Sequence, residues 1–137
     1  MVISVMKKTP SPELEVLLNH FNWNLQRLDE VLKKEKSDYF KGAALQRFGH
    51  TYNIALKIIQ SYAQSKSIPC KIDERCFETA VQSGWMKNHP EWKEIAADFK
   101  RINQKPQQDI ERIYSNLATY HNALHFLFAQ LKELIDH

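Results

Sequence analysis

At 137 residues, 43% hydrophobic and 26% charged, the chain has material for one packed core and little more. Three glycines and five prolines leave few turns, which favours long helices. A formal charge of +3 is too mild for a dedicated nucleic-acid-binding surface, and no apolar run approaches the ~20 residues that cross a bilayer.

Residues 1–10 read as a loose N-terminal segment, and Met1 to Met6 lacks the basic start and apolar stretch of a secretory signal, so a cytoplasmic location is expected. Thr9-Pro10-Ser11-Pro12-Glu13 supplies a cap, a proline for the first turn and an early acid, predicting a helix start at Ser11 or Pro12. Leu14, Leu17, Leu18, Phe21, Leu25, Leu28 and Leu32 then form one stripe and carry that helix to about Lys34. Ser37 or Asp38 caps a second helix that runs to about Ser65. Ala44, Phe48, Thr51, Tyr52, Ala55, Ile58, Ile59 and Tyr62 share its inner side. Gln46, Gly49, His50, Asn53, Lys57 and Gln60 take the outer side, and Arg47 falls on the shoulder. Lys66 to Ile72, with Pro69, is the connection. A third helix starts near Asp73, buries Cys76, Phe77, Ala80 and Val81, and stops at Gly84. A short helix from Pro90 turns Trp92, Ile95, Ala96 and Phe99 inward. The last begins around Pro106 and buries Ile110, Ile113, Tyr114, Leu117, Tyr120, Leu124, Leu127, Leu131 and Ile135. The expected fold is all-α: a single-domain, antiparallel up-and-down four-helix bundle with an additional short helix before the last long one.

Cys70 and Cys76 have no CxxC spacing and no secretory context, so they read as reduced thiols, and the neighbourhood offers too few ligands for zinc. His121 and His125 lie one turn apart without the acid of a metalloprotease pattern and read as packing or surface residues. No phosphate-binding glycine loop or cofactor motif occurs. Trp23 breaks the leucine pattern of the first helix, with Val16 and Arg27 on the same outer side, and Phe126 points away from the core of the last. These four are the candidate interface for a second copy or a partner.

The order Gln46-Arg47-Phe48, then Thr51-Tyr52, then Ala55-Leu56-Lys57 resembles the long second helix of the nucleotidyltransferase substrate-binding proteins. These are small four-helix proteins of the bacterial HEPN group that partner a minimal nucleotidyltransferase. The likeness continues through Arg75-Cys76-Phe77-Glu78-Thr79-Ala80, Gly84 and Trp92, while Gly49 takes the place of a usual acid and Leu56 that of a common Trp. HEPN ribonucleases carry an Arg, four to six residues, then a His. The guanidinium holds a phosphate and the imidazole handles a proton. Here Arg47 meets His50 after two residues and Arg112 meets His121 after eight, so the motif is absent. In the alignment through Trp92, Asp98 matches the family's acid, Phe99 and Lys100 replace an Arg-Asn pair, and Asn103-Gln104-Lys105-Pro106 replaces Ser-His-Thr-Tyr.

The resemblance therefore implies a homodimeric, non-catalytic substrate-binding or partner subunit of a separately encoded nucleotidyltransferase, with a nucleotide or RNA as ligand. An HEPN-type endoribonuclease toxin and a stand-alone helical adaptor are the competing functions. Arg47, Thr51, Arg101 and Gln104 are the candidate anion- or nucleotide-binding residues. For Arg47 the structural alternative is a side chain that snorkels past Ile54 and Ile58 or pairs with Glu78 or Asp98.

Overall fold

The computed structural model describes residues 12–68, 70, 74–89, 91–104 and 109–136; these contain five helices and no strand. The helices are α1 (Pro12–Leu32), α2 (Asp38–Ser65), α3 (Glu74–Gln82), α4 (Glu91–Ile102) and α5 (Ile110–Asp136). The expected loose segment 1–10, and the proposed starts at Asp73, Pro90 and Pro106, lie outside the described residues.

Local chemistry explains the boundaries. Ser37 is extended at φ −143°, and its hydroxyl accepts the Phe40 N–H at 3.2 Å, satisfying a donor that the first turn of α2 leaves open. Two helices end in the same paired-bond motif. After α2 the Ile68 N–H returns to the Ala63 carbonyl at 2.8 Å and the Ser67 N–H to Gln64 at 3.0 Å. After α3 the Trp85 N–H returns to Ala80 at 2.9 Å and the Gly84 N–H to Val81 at 3.1 Å. The motif needs a left-handed residue, supplied by Gly84 at φ 79° and, with a steric cost, by Ser67 at φ 61°. Asp109 is also left-handed, at φ 59°, so α5 starts at Ile110, later than the sequence suggested. Its first turn is closed by the Ile113 N–H on the Asp109 carbonyl at 2.9 Å.

α1 packs against α2 and α5, α2 also touches α3, α4 and α5, and α4 lies against α3 and α5. Phe21, Leu25 and Leu28 of α1, Phe48, Ile58 and Ile59 of α2, and Ile113, Leu117 and Leu124 of α5 form the sealed centre. Such side chains contribute roughly 1.5–3 kcal/mol each on burial. A run of rings ties four helices together: Tyr120 to Phe48 at 5.6 Å, Phe48 to Tyr52 at 6.5 Å, Tyr52 to Phe77 at 5.5 Å and Phe77 to Trp92 at 5.4 Å. Among the described residues no helix is long and apolar enough to cross a membrane.

The cysteines correct the sequence reading. Cys70 and Cys76 are joined by a disulfide, with Cα atoms 5.4 Å apart, and the described chain has no free thiol. The left-handed turn at Ser67 folds the connection back, and Gln60 Nε2 donates to the Cys70 carbonyl at 3.5 Å. Cys70 is thereby held beside α3, within bridging distance of Cys76.

Candidate anion-binding site

Asn24 is a polar residue inside the leucine stripe of α1 and only 6% exposed. A buried amide needs partners for both of its ends. Its Nδ2 donates to the His20 carbonyl at 2.8 Å, one turn back, and its Oδ1 accepts from Arg47 Nη1 of α2 at 2.9 Å. The Arg47 guanidinium also lies 5.1 Å from the centre of the Trp23 ring, a cation–π distance. Arg47 is thus oriented by a neutral amide and an aromatic ring. Neither Glu78 nor Asp98 pairs with it, and among the described residues no carboxylate comes within ion-pair distance of it.

A cavity of about 390 Å³ opens at this point between α1 and α2, lined by His20, Trp23, Arg47, His50, Asn53 and Lys57, together with Leu17, Asn24 and Ile54. Among the described residues no carboxylate is in the lining. Two permanent cations and two imidazoles therefore share one concavity with no internal counter-charge. Such a site concentrates anions, and the fixed guanidinium fork matches phosphate or carboxylate oxygens.

The other candidate residues are placed elsewhere. Thr51 is fully buried, and its hydroxyl donates back to the Arg47 carbonyl at 2.7 Å; its short side chain faces the core, and it offers nothing to the groove. Arg101 donates to Asp98 at 2.6 Å, and Gln104 sits exposed in the turn after α4, so neither lines the cavity. Of the candidate interface residues, Val16 is 52%, Trp23 49% and Phe126 43% exposed. Arg27 lies 5.3 Å from the Trp23 ring and pairs with Glu30 at 2.6 Å.

A second polar cluster joins α4 to α5. The buried Asp98 carboxylate accepts from Arg101 at 2.6 Å, from Arg112 at 2.8 and 3.4 Å, and from the Tyr120 hydroxyl at 2.6 Å. Burial pushes its carboxyl up, but the bonds from Arg112, Tyr120 and Arg101 outweigh burial and hold it below the usual carboxylate range. Burial, followed by the Asp98 hydrogen bond, drives the Tyr120 phenol upward. A phenol that resists ionisation and two guanidiniums already bonded to a carboxylate hold helices together; they supply neither a proton carrier nor an unsatisfied cation.

His121 Nε2 is 2.9 Å from the Leu25 carbonyl and its ring lies 6.1 Å from that of His125. Among the described residues no three His, Cys, Asp or Glu side chains gather where they could hold a metal.

Sequence reasoning passed over Asn24, His20, Lys57 and Arg112 as site residues. Asn24 had a readable signal, a polar residue three after Phe21 and one before Leu25. Asp98, three after Ile95 on an amphipathic helix, likewise required a cation, which the first turn of α5 supplies in Arg112. No family model and no curated protein matches the chain.

Proposed function

We propose that this chain is a non-catalytic binding protein that holds a phosphate-bearing ligand in the groove between α1 and α2. Its setting, on the resemblance in residue order, is an antiparallel HEPN-like bundle that serves a minimal nucleotidyltransferase as substrate-binding or partner subunit. One observation carries the reading: Arg47 is fixed by Asn24 and Trp23 in a cavity whose other lining groups include Lys57, His20 and His50 and, among the described residues, no acid. Binding without turnover is supported by the α4–α5 cluster, where Arg101 and Arg112 both donate to Asp98 and no histidine among the described residues joins them. The endoribonuclease alternative has less support for the same reason.

Titration with inorganic phosphate, followed by backbone amide shifts, tests the binding. Perturbations centred on Asn24, Arg47 and His50 that vanish in Arg47→Ala are expected; shifts scattered over the surface, or none, would remove the proposal. The resemblance implies a homodimer, and the exposed apolar residues Val16, Trp23 and Phe126, with Arg27, are the surface assigned to it. Sedimentation of Trp23→Glu tests it, with a folded monomer expected. Co-purification with the nucleotidyltransferase tests the partnership.

A further inference from the structure

The groove does not end at His50. A second cavity of about 390 Å³ lies on the other side of that residue, between α2 and α4, and shares His50 and Asn53 with the first. Its chemistry is different. Leu45, Phe99 and Ile102 give it apolar walls, Gln46 and Asn103 add amides, and among the described residues no Asp, Glu, Lys or Arg lines it.

Two of the chain's three glycines, Gly42 and Gly49, lie in this lining, and both are inside α2. Neither has a positive φ. Neither is required by close packing: a Cβ on Gly42 would meet nothing within 4 Å, and one on Gly49 would sit at ordinary contact, 3.7 Å from Phe99 and Ile102. A glycine inside a helix destabilises it relative to alanine, so two that no backbone or packing constraint demands need another reason. Their common effect is to leave the uncharged compartment open.

Resting on the anion-binding reading above, we infer that the two compartments take one ligand, a phosphate monoester of a molecule with a neutral, planar, polar ring, of which a nucleoside 5′-monophosphate is the simplest example. The phosphate lies by Arg47 and Lys57. The ring lies over Gly49 against Phe99 and Ile102, with the amides of Gln46 and Asn53, and the Oδ1 of Asn103, whose Nδ2 donates to the Phe99 carbonyl at 2.9 Å, facing its heteroatoms. His50 and Asn53 form the saddle between the two. Each compartment falls at the lower end of the size range of small-molecule sites, ~300–1,000 Å³, so a ring of this kind fits one of them.

Calorimetric titration of the full chain with AMP, CMP, ribose 5-phosphate and inorganic phosphate tests this. The nucleotides should bind at least tenfold more tightly than the two ring-free phosphates. Gly49→Leu should bring AMP down to the affinity of ribose 5-phosphate while leaving inorganic phosphate unchanged. Gly49→Ala, which adds only the Cβ that the site can accept, should melt higher than the parent and serves as the folded control. Equal affinity for AMP and inorganic phosphate, or an undiminished AMP affinity in Gly49→Leu, would overturn the ring compartment while leaving the anion site standing. No binding by any of the four would remove both.

Discussion

Replacing Asp98 with Asn keeps the side-chain shape and removes the charge on which the α4–α5 junction converges. The carboxylate accepts four hydrogen bonds of 2.6, 2.6, 2.8 and 3.4 Å from Arg101, Tyr120 and Arg112. Hydrogen bonds to a charged group contribute about 1.5–3 kcal/mol each. Both arginines, however, are partly exposed, at 37% and 43%, and recover much of that from water when the carboxylate is lost. The buried Tyr120 hydroxyl has no such recourse. The net cost should be about 2–3 kcal/mol, which for a domain of this size lowers the melting temperature by roughly 10 °C. The loss should also depend on pH. Asp98 binds a proton less readily in the folded chain than in the unfolded one, so protonation favours unfolding. The carboxylate's contribution is complete above the unfolded pKa of ~3.9 and disappears as pH falls through the lower folded value. Urea melts of parent and Asp98→Asn should therefore differ most near neutrality and converge in acid. Coincident midpoints at neutral pH, or a gap that persists unchanged into strong acid, would refute the assignment of this cluster as the α4–α5 lock.

Two helix ends give a matched pair of predictions. Gly84→Ala should destabilise by about 1 kcal/mol and Ser67→Gly should stabilise by about 0.5–1 kcal/mol, because both positions are left-handed in the same paired-bond motif; thermal melts of the two variants check the opposite signs. Reducing Cys70–Cys76, which closes a loop of sequence separation 6, should remove about 2 kcal/mol. A melt with and without dithiothreitol reads that loss, and a Cys76→Ser chain should melt at the same temperature whether or not dithiothreitol is present.

Helix count and type were legible because each segment carries an apolar stripe at helical spacing and begins or ends at a residue with a cap role. Ser37, Gly84 and Pro12 do in the structure what their chemistry predicts. The start of α5 was not legible, since Asp109 is left-handed and nothing in its identity compels that. The disulfide was missed for a related reason. Thiol state was inferred from an assumed compartment, whereas the bond depends on a backbone reversal at Ser67 that places Cys70 beside α3. Of the candidate site, Arg47 and Trp23 were visible as residues that sit awkwardly on their helices. Their meeting was not, because it depends on the rotation of α1 against α2, and spacing within one helix carries no information about its neighbour. Thr51 shows the converse error. It lies one turn from Arg47, yet the helical twist between them takes one side chain to the groove and the other to the core.

What separates Arg47 from the chain's other well-placed arginines is the charge of its partner. Arg27 has Glu30, Arg101 and Arg112 share Asp98, and Asp109 lies 3.9 Å from Arg112; in each case carboxylates offset the guanidinium charge as they fix its geometry. Arg47 is fixed by a neutral amide, so its charge survives. An aspartate at position 24 would hold the guanidinium more strongly, and its absence is what leaves the Arg47 charge uncompensated beside that of Lys57. Asn24→Asp therefore separates a structural from a binding role. The new ion pair gains strength on Arg47, but the carboxylate can no longer donate to the His20 carbonyl, and these two changes, each of about 1–3 kcal/mol, roughly offset. Stability should change little. Phosphate affinity should fall at least tenfold, since a unit charge about 4 Å from another contributes about 4 kcal/mol at the effective dielectric of a protein surface and the variant cancels it. If Arg47 were there only to satisfy the buried amide, Asn24→Asp would leave phosphate titrations as they were.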